Sequence, residues 1–201
     1  MNAYTRHGIV LTPVGNLTLV ASDDALTGLY FARHWPRPDT GSFGERVPAQ
    51  TDTLLSEVAR QLAGYFAGER TSFDIPITTR GDAFQEQVWS LLREIPFGET
   101  ATYGELARRY GDRSLARDIG QAIGQNPLSI VVPCHRVVGK DGTLVGYAGG
   151  LERKRALLEI EGWHLQPKSG HANLRDLTIG RDTPTQQIPM LSDELLAGIA
   201  G

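Results

Sequence analysis

Residues 102–139, TYGELARRYGDRSLARDIGQAIGQNPLSIVVPCHRVVG, hold two short helical patterns, a brief turn between them and the only cysteine of the chain. Thr102 and Glu105 have the spacing of a capping box, which opens the first helix. Ser114 is positioned to cap the second, whose apolar positions are Leu115, Ile119, Ala122 and Ile123. Gly111 to Arg113 is the only connection, and Asn126-Pro127 stops the second helix. Two short helices joined by so short a turn outline a helix-turn-helix, which many helical hairpins without a nucleic-acid ligand share. The apolar run LSIVV reads as a buried strand that ends in Pro-Cys-His-Arg, and a buried thiol in a core needs neither the proline nor the histidine beside it.

Upstream, Asp82 with Gln85 forms a second capping box. Phe84, Val88, Leu91, Leu92 and Ile95 give the stripe of a helix that Pro96 ends. Downstream, RVVGKDGTLVGY reads as a hairpin turning at Asp141-Gly142, and GLERKRALLEIEG as a helix with Leu151, Leu157 and Leu158 inside. The first third of the chain differs in character. HGIVLTPVG, NLTLVAS and ALTGLYFA are β-rich runs with turn residues between them, consistent with an antiparallel meander. A Pro/Gly/Ser-rich stretch at 34–50 reads as a long, partly disordered loop. A helix over 51–66 follows, with Leu54, Leu55, Val58, Leu62, Tyr65 and Phe66 on one face. From His164 the sequence is polar and irregular until MLSDELLAGIA, which fits an amphipathic terminal helix.

Bulk properties limit what the cysteine can do. The 201 residues suffice for one large or two small cores, and their formal charge of -3 argues against a protein that holds nucleic acid by overall positive field. One cysteine excludes an internal disulfide and any multi-cysteine zinc site. No apolar run approaches the ~18 residues of a membrane span, and the first residues, MNAYTRHG, do not read as a signal peptide. A cytoplasmic protein without membrane association is the expectation.

Cys134 is either a small buried hydrophobe or a nucleophile. His135 as a base or relay, and Arg136 as a fixed charge, would both favour a thiolate if the fold brings them near. Consecutive strand residues face opposite ways, so a bend after Pro133 or a bridging water is required. His7, His34, His164 and His171 read as solvent-facing.

Together the elements FQEQVW, IPFGETATYGELA, NPLSIVVPCHRVVG and GYAGGLERKRALLEIEG resemble the O6-alkylguanine-DNA alkyltransferase (methylated-DNA–protein-cysteine methyltransferase) family. The likeness is strong over residues 84–162, looser over the N-terminal sheet and absent from the tail. It implies an α/β (α+β) protein with three parts. Residues 1–80 would be a ribonuclease-H-like sheet and helix, residues 81–163 a winged-helix-like catalytic unit, and residues 164–201 a tail. It implies direct displacement of an alkyl group from O6 of guanine, with O4-alkylthymine a further candidate, onto Cys134 without cofactor or metal.

In that resemblance His135 relays the thiol proton through a water, Glu161 orients His135, and Asn126 lies between the recognition helix and the active-site strand. Tyr103 helps rotate the nucleotide and hydrogen-bonds the base. Tyr147 and Ala148 form the pocket wall and its O6-binding backbone amide, the small residues Ala148 and Gly149 leave room for the ring, and carbonyls near Val137 receive the base's amino group. The second helix enters the minor groove of double-stranded DNA, with Arg117 filling the vacated stack and Asp118, Gln121 and Ala122 beside it.

Asp118 departs from the commoner alanine, and puts a negative charge where phosphates are expected. It either repels DNA or pairs with Arg113 or Arg117. Some relatives carry an N-terminal zinc site whose cysteines this chain lacks. Two rivals remain: an alkyl-lesion sensor that transfers nothing, and a Cys-His hydrolase that turns over. The sequence leaves open the size of alkyl group accepted, any protein partner, and cooperative assembly on DNA.

Overall fold

Three strands, β1 (Thr5–Val10), β2 (Leu17–Ser22) and β3 (Ala25–Phe31), form an antiparallel meander, in register Arg6 to Ala21 and Leu19 to Leu29. The structure is a computed structural model and describes residues 3–167 and 177–180. The sheet is not purely antiparallel as expected, because β4 (Glu45–Arg46) adds to β1 in parallel and gives the order β3-β2-β1-β4. β4 lies inside the stretch read as a long loop. That stretch also contains 3-10 turns at Thr40–Phe43 and Ala49–Thr51, and buries Phe43 and Ala49.

Helix α1 (Thr53–Phe66) starts at Asp52, whose carboxylate accepts from Leu55 N at 2.9 Å and pairs with Arg6 of β1. The cap thus ties the helix to the sheet. Leu55, Val58, Leu62 and Tyr65 bury one face in the same core as Leu17, Leu19, Leu26 and Leu29. Removal of so much apolar surface from water is the main stabilisation of this half.

The edge of β3 is not open. Leu26 bonds the backbone of Pro76 and Thr78, and Leu29 N donates to Pro127 O at 2.8 Å while Ser129 N donates to Leu29 O at 3.2 Å. Through these bonds the sheet grips the chain just before the cysteine.

The helical half comprises α2 (Ala83–Arg93), α3 (Tyr103–Tyr110), α4 (Ala116–Gly124) and α5 (Leu151–Ile160). Both predicted capping boxes form, Asp82 with Gln85 and Thr102 with Glu105. Gly111 ends α3 at φ 111°, a left-handed conformation that suits glycine, and the chain re-enters α4 within a few residues. Leu106, Ala107, Ile119 and Ile123 bury the seam of this helix-turn-helix. Ser114 does not cap α4. Asp112 accepts from Ser114 N and Oγ, making a 3-10 turn at Arg113–Leu115 that leads straight into the helix.

LSIVV is buried but is not a strand. Ile130 takes φ 72°, which a β-branched residue rarely adopts, and Val132 N returns to Leu128 O at 2.8 Å. The hairpin expected after the cysteine is reduced to a turn at Gly139–Thr143. β6 (Val137–Val138) pairs instead in parallel with β5 (Ala101–Thr102). Leu151 is only half-buried, whereas Leu157 and Leu158 are inside as expected. The region read as an irregular tail contains an antiparallel pair, β7 (His164–Pro167) with β8 (Leu177–Gly180). MLSDELLAGIA and His171 lie outside the described residues. No helix among the described residues is long and apolar enough to cross a membrane.

Candidate active site

Pro133 N-terminates a 3-10 turn, Cys134–Arg136, so the required bend is supplied and no strand carries the thiol. Cys134 N bonds Val132 O at 2.8 Å, and Arg136 N bonds Pro133 O at 3.0 Å. The tight turn sends three consecutive side chains to three different environments.

Cys134 is buried and free. Asn126, far from being a mere helix stop, holds the turn from beneath. Its Nδ2 donates to Val132 O at 2.8 Å and to Cys134 Sγ at 3.1 Å, and its Oδ1 accepts from Leu128 N at 3.0 Å. Burial pushes the thiol pKa up, while the Asn126 donor and the nearby Lys154 charge oppose that shift.

His135 points away from solvent, and its Nε2 lies 2.8 Å from Glu161 Oε1. Glu161 also accepts from Tyr65 Oη at 2.8 Å, from Arg136 Nε at 2.9 Å and from Gly98 N at 3.2 Å. Burial opposes ionisation of Glu161, but His135 and Arg136 outweigh it and hold its pKa down at about 2. Burial lowers the His135 pKa against the pull of Glu161. The neutral imidazole therefore donates Nε2–H to the carboxylate and leaves Nδ1 as an acceptor. Among the described residues this buried Nδ1 has no hydrogen-bond partner.

Arg136 does not serve the thiol as anticipated. It grips Glu161, donates to Ile95 O at 2.7 Å and lies over the Phe97 ring. Its charge satisfies a buried carboxylate, as a buried ion requires.

A cavity of about 410 Å³ opens over Cys134. Tyr103 borders it from the start of α3, Gly120 and Gln121 from α4, Gly146, Tyr147 and Ala148 from the loop before α5, and Trp35 and Pro36 from the first half. Burial, then proximity to Cys134, raises the Tyr103 pKa to about 12, so it is a hydrogen-bond donor at neutral pH. Phe31 meets Tyr147 edge-on at 5.7 Å, and Arg153 lies over Phe31 while donating to Gly149 O at 2.9 Å. A Cβ on Gly149 would come within 2.5 Å of Phe31, so this glycine makes room for Phe31 and not for an entering ring. A larger cavity of about 570 Å³ lies on the far side of the turn and reaches Pro133 and Arg136, but Cys134 does not border it.

Sequence reasoning missed Lys154. It is 0% exposed, and its Nζ donates to Val137 O at 2.5 Å, Val145 O at 2.6 Å and Gly146 O at 3.2 Å. Burial lowers its pKa to about 8, so at neutral pH it remains a cation near the thiol. Val137 is buried beneath this contact and is not among the residues that border the cavity.

On α4, Arg117, Asp118 and Gln121 are exposed, and neither Arg117 nor Asp118 makes an ion pair among the described residues. The pairing envisaged for Asp118 is therefore not present. Ala122 does not share the outer face. It is 3% exposed, and its carbonyl accepts from Trp89 Nε1 at 2.8 Å. His34, expected at the surface, is buried against Phe31 and Tyr30, and burial lowers its pKa to about 4.

Residues 83–163 match the family described as "6-O-methylguanine DNA methyltransferase, DNA binding domain", and residues 5–79 match its "ribonuclease-like domain". A methylated-DNA–protein-cysteine methyltransferase of Mycolicibacterium paratuberculosis is 45% identical over 153 residues, covering 76% of this chain and 90% of that protein. One from Methanosarcina acetivorans is 40% identical over 159 residues, covering 78% and 97%. The crystal structure of Mycobacterium tuberculosis OGT in complex with DNA superposes with a TM-score of 0.73 at 43% identity, covering 78% of this chain and 92% of that one.

Proposed function

The chain belongs to the 6-O-methylguanine DNA methyltransferase family, and from that premise we propose that it repairs O6-alkylguanine in double-stranded DNA by direct reversal, each molecule accepting one alkyl group on Cys134. The observation that carries this reading is the buried thiol bordering a base-sized cavity, held by Asn126 and followed immediately by the His135–Glu161 pair.

The thiol is protonated at rest because burial raises its pKa. His135 Nδ1, the acceptor left bare when Nε2–H faces Glu161, takes the thiol proton through a water. Asn126 Nδ2 and the Lys154 cation stabilise the thiolate. Its electron pair attacks the alkyl carbon, so the S–C bond forms as the C–O6 bond breaks. The released pair stays on guanine, which takes a proton from Tyr103, and the proton held by His135 restores the balance through solvent. The thioether is stable, and no group in the chain removes it.

Chemistry on O6 needs the base outside the stack. In our reading α4 lies in the minor groove with Arg117 in the vacated space and Gln121 and Asp118 beside it, while Tyr147 and Ala148 flank the base. Residues 1–80 support the catalytic unit 81–163, and the protein acts in the cytoplasm. The test is the mass of Cys134 after exposure to O6-methylguanine duplex, which should rise by one methyl group.

A further inference from the structure

We propose that Trp35 is a specificity-determining residue, forming an apolar wall against which O6 substituents larger than methyl pack. This inference rests on the alkyl-transfer reading of Cys134. Trp35 comes from the stretch that the sequence presented as a loop. It and Pro36 are the contributions of the sheet-bearing half to the cavity that Cys134 borders. Trp35 is 76% exposed, although its main chain is held on both sides. His34 N donates to Phe31 O at 3.1 Å, and the buried His34 ring stacks on Phe31 with centroids 6.4 Å apart. Trp35 N donates to Ala148 O at 2.8 Å, which fixes the loop to the opposite cavity wall.

A large apolar ring on a fixed backbone, beside the thiol's cavity and uncovered by protein, gains by covering itself with an apolar part of the substrate. The base itself is common to all substrates. What varies is the substituent on O6, and a benzyl group offers the indole an aromatic partner where a methyl group offers almost none. Trp35 therefore acts on the rate for bulky substituents and not on the displacement itself.

Replacing the side chain leaves the backbone bond to Ala148 in place, so Trp35→Ala retains the loop anchor. Rates of Cys134 alkylation are measured with duplexes carrying O6-benzylguanine or O6-methylguanine. Trp35→Ala should slow benzyl transfer by about 3- to 10-fold, leave methyl transfer within about twofold, and be largely restored in Trp35→Phe. Equal slowing of both substituents, or unchanged benzyl transfer, would overturn the assignment. Wild-type protein that takes neither group onto Cys134 would overturn the alkyl-transfer reading itself, and this proposal with it.

Discussion

Glu161 Oε1 stands 2.8 Å from His135 Nε2 with both side chains fully out of solvent, and the same carboxylate is clasped by Arg136 from the residue next door. One anion thus orients the candidate base and neutralises a buried guanidinium.

Glu161→Gln keeps the shape and loses the charge, leaving Arg136 as a buried cation without its counter-ion. Breaking such a pair costs about 3–5 kcal/mol, and alkyl transfer should fall with it because His135 is no longer held in one tautomer. The pH dependence identifies the cause. The folded-state pKa of Glu161 is depressed to about 2, so its stabilisation is complete above the unfolded value of about 4.3 and is lost as pH falls toward 2. His135, also depressed, loses stability in the same direction from about pH 6.5 downward. Melting temperatures of wild type and Glu161→Gln should converge between pH 4 and pH 2; a gap that stays constant through this range contradicts the charge argument.

Lys154→Met leaves the buried Val137 carbonyl and the part-buried Val145 and Gly146 carbonyls short of their donor. The deserted buried acceptor costs about 1–3 kcal/mol, so the melting temperature should drop by several degrees. The variant should also move the pH–rate profile for free O6-benzylguanine to higher pH, because a cation that favours the thiolate is gone. Lowered stability with an unmoved profile would assign Lys154 to loop support alone.

Arg117→Ala separates extrusion from chemistry. The exposed arginine is on α4 and does not border the cavity. Unstacking costs a few kcal/mol only in duplex. Repair of duplex O6-methylguanine should therefore slow about 10- to 100-fold, with the free-base reaction within about twofold. Equal slowing in the two assays would mean that Arg117 shapes the cavity.

Asp118 has no ion-pair partner among the described residues, which leaves repulsion of phosphate as its expected effect. Asp118→Ala should tighten binding to undamaged duplex by up to about 1 kcal/mol at low salt, shrinking as salt rises, with the free-base rate unchanged. Weaker binding at both salts would refute repulsion.

What the sequence made legible was local. Capping boxes, the Gly111 turn and the short β runs are written within a few residues of one another, and all form. One misreading arises because apolar runs do not announce their backbone. LSIVV is as buried as a strand would be, yet Ile130 turns left-handed, because Asn126 bonds both Leu128 N and Val132 O and closes the segment on itself. Arg136 looked like a partner for the thiol until Glu161, 25 residues away, claimed it. Trp35 lay in no motif, and Lys154 lay within GLERKRALLEIEG with nothing local to mark its role. Their importance arises from a contact between halves and from three converging carbonyls, which only the tertiary fold creates.

The most direct test of the account is intact-protein mass spectrometry with peptide mapping, after incubation with excess O6-methylguanine duplex. The account predicts one added methyl group per molecule, located on Cys134, a single equivalent of repaired guanine, and none of either with Cys134→Ala. Repaired guanine exceeding one equivalent, as a hydrolase would give, or lesion binding without any mass change, as a sensor would give, contradicts it.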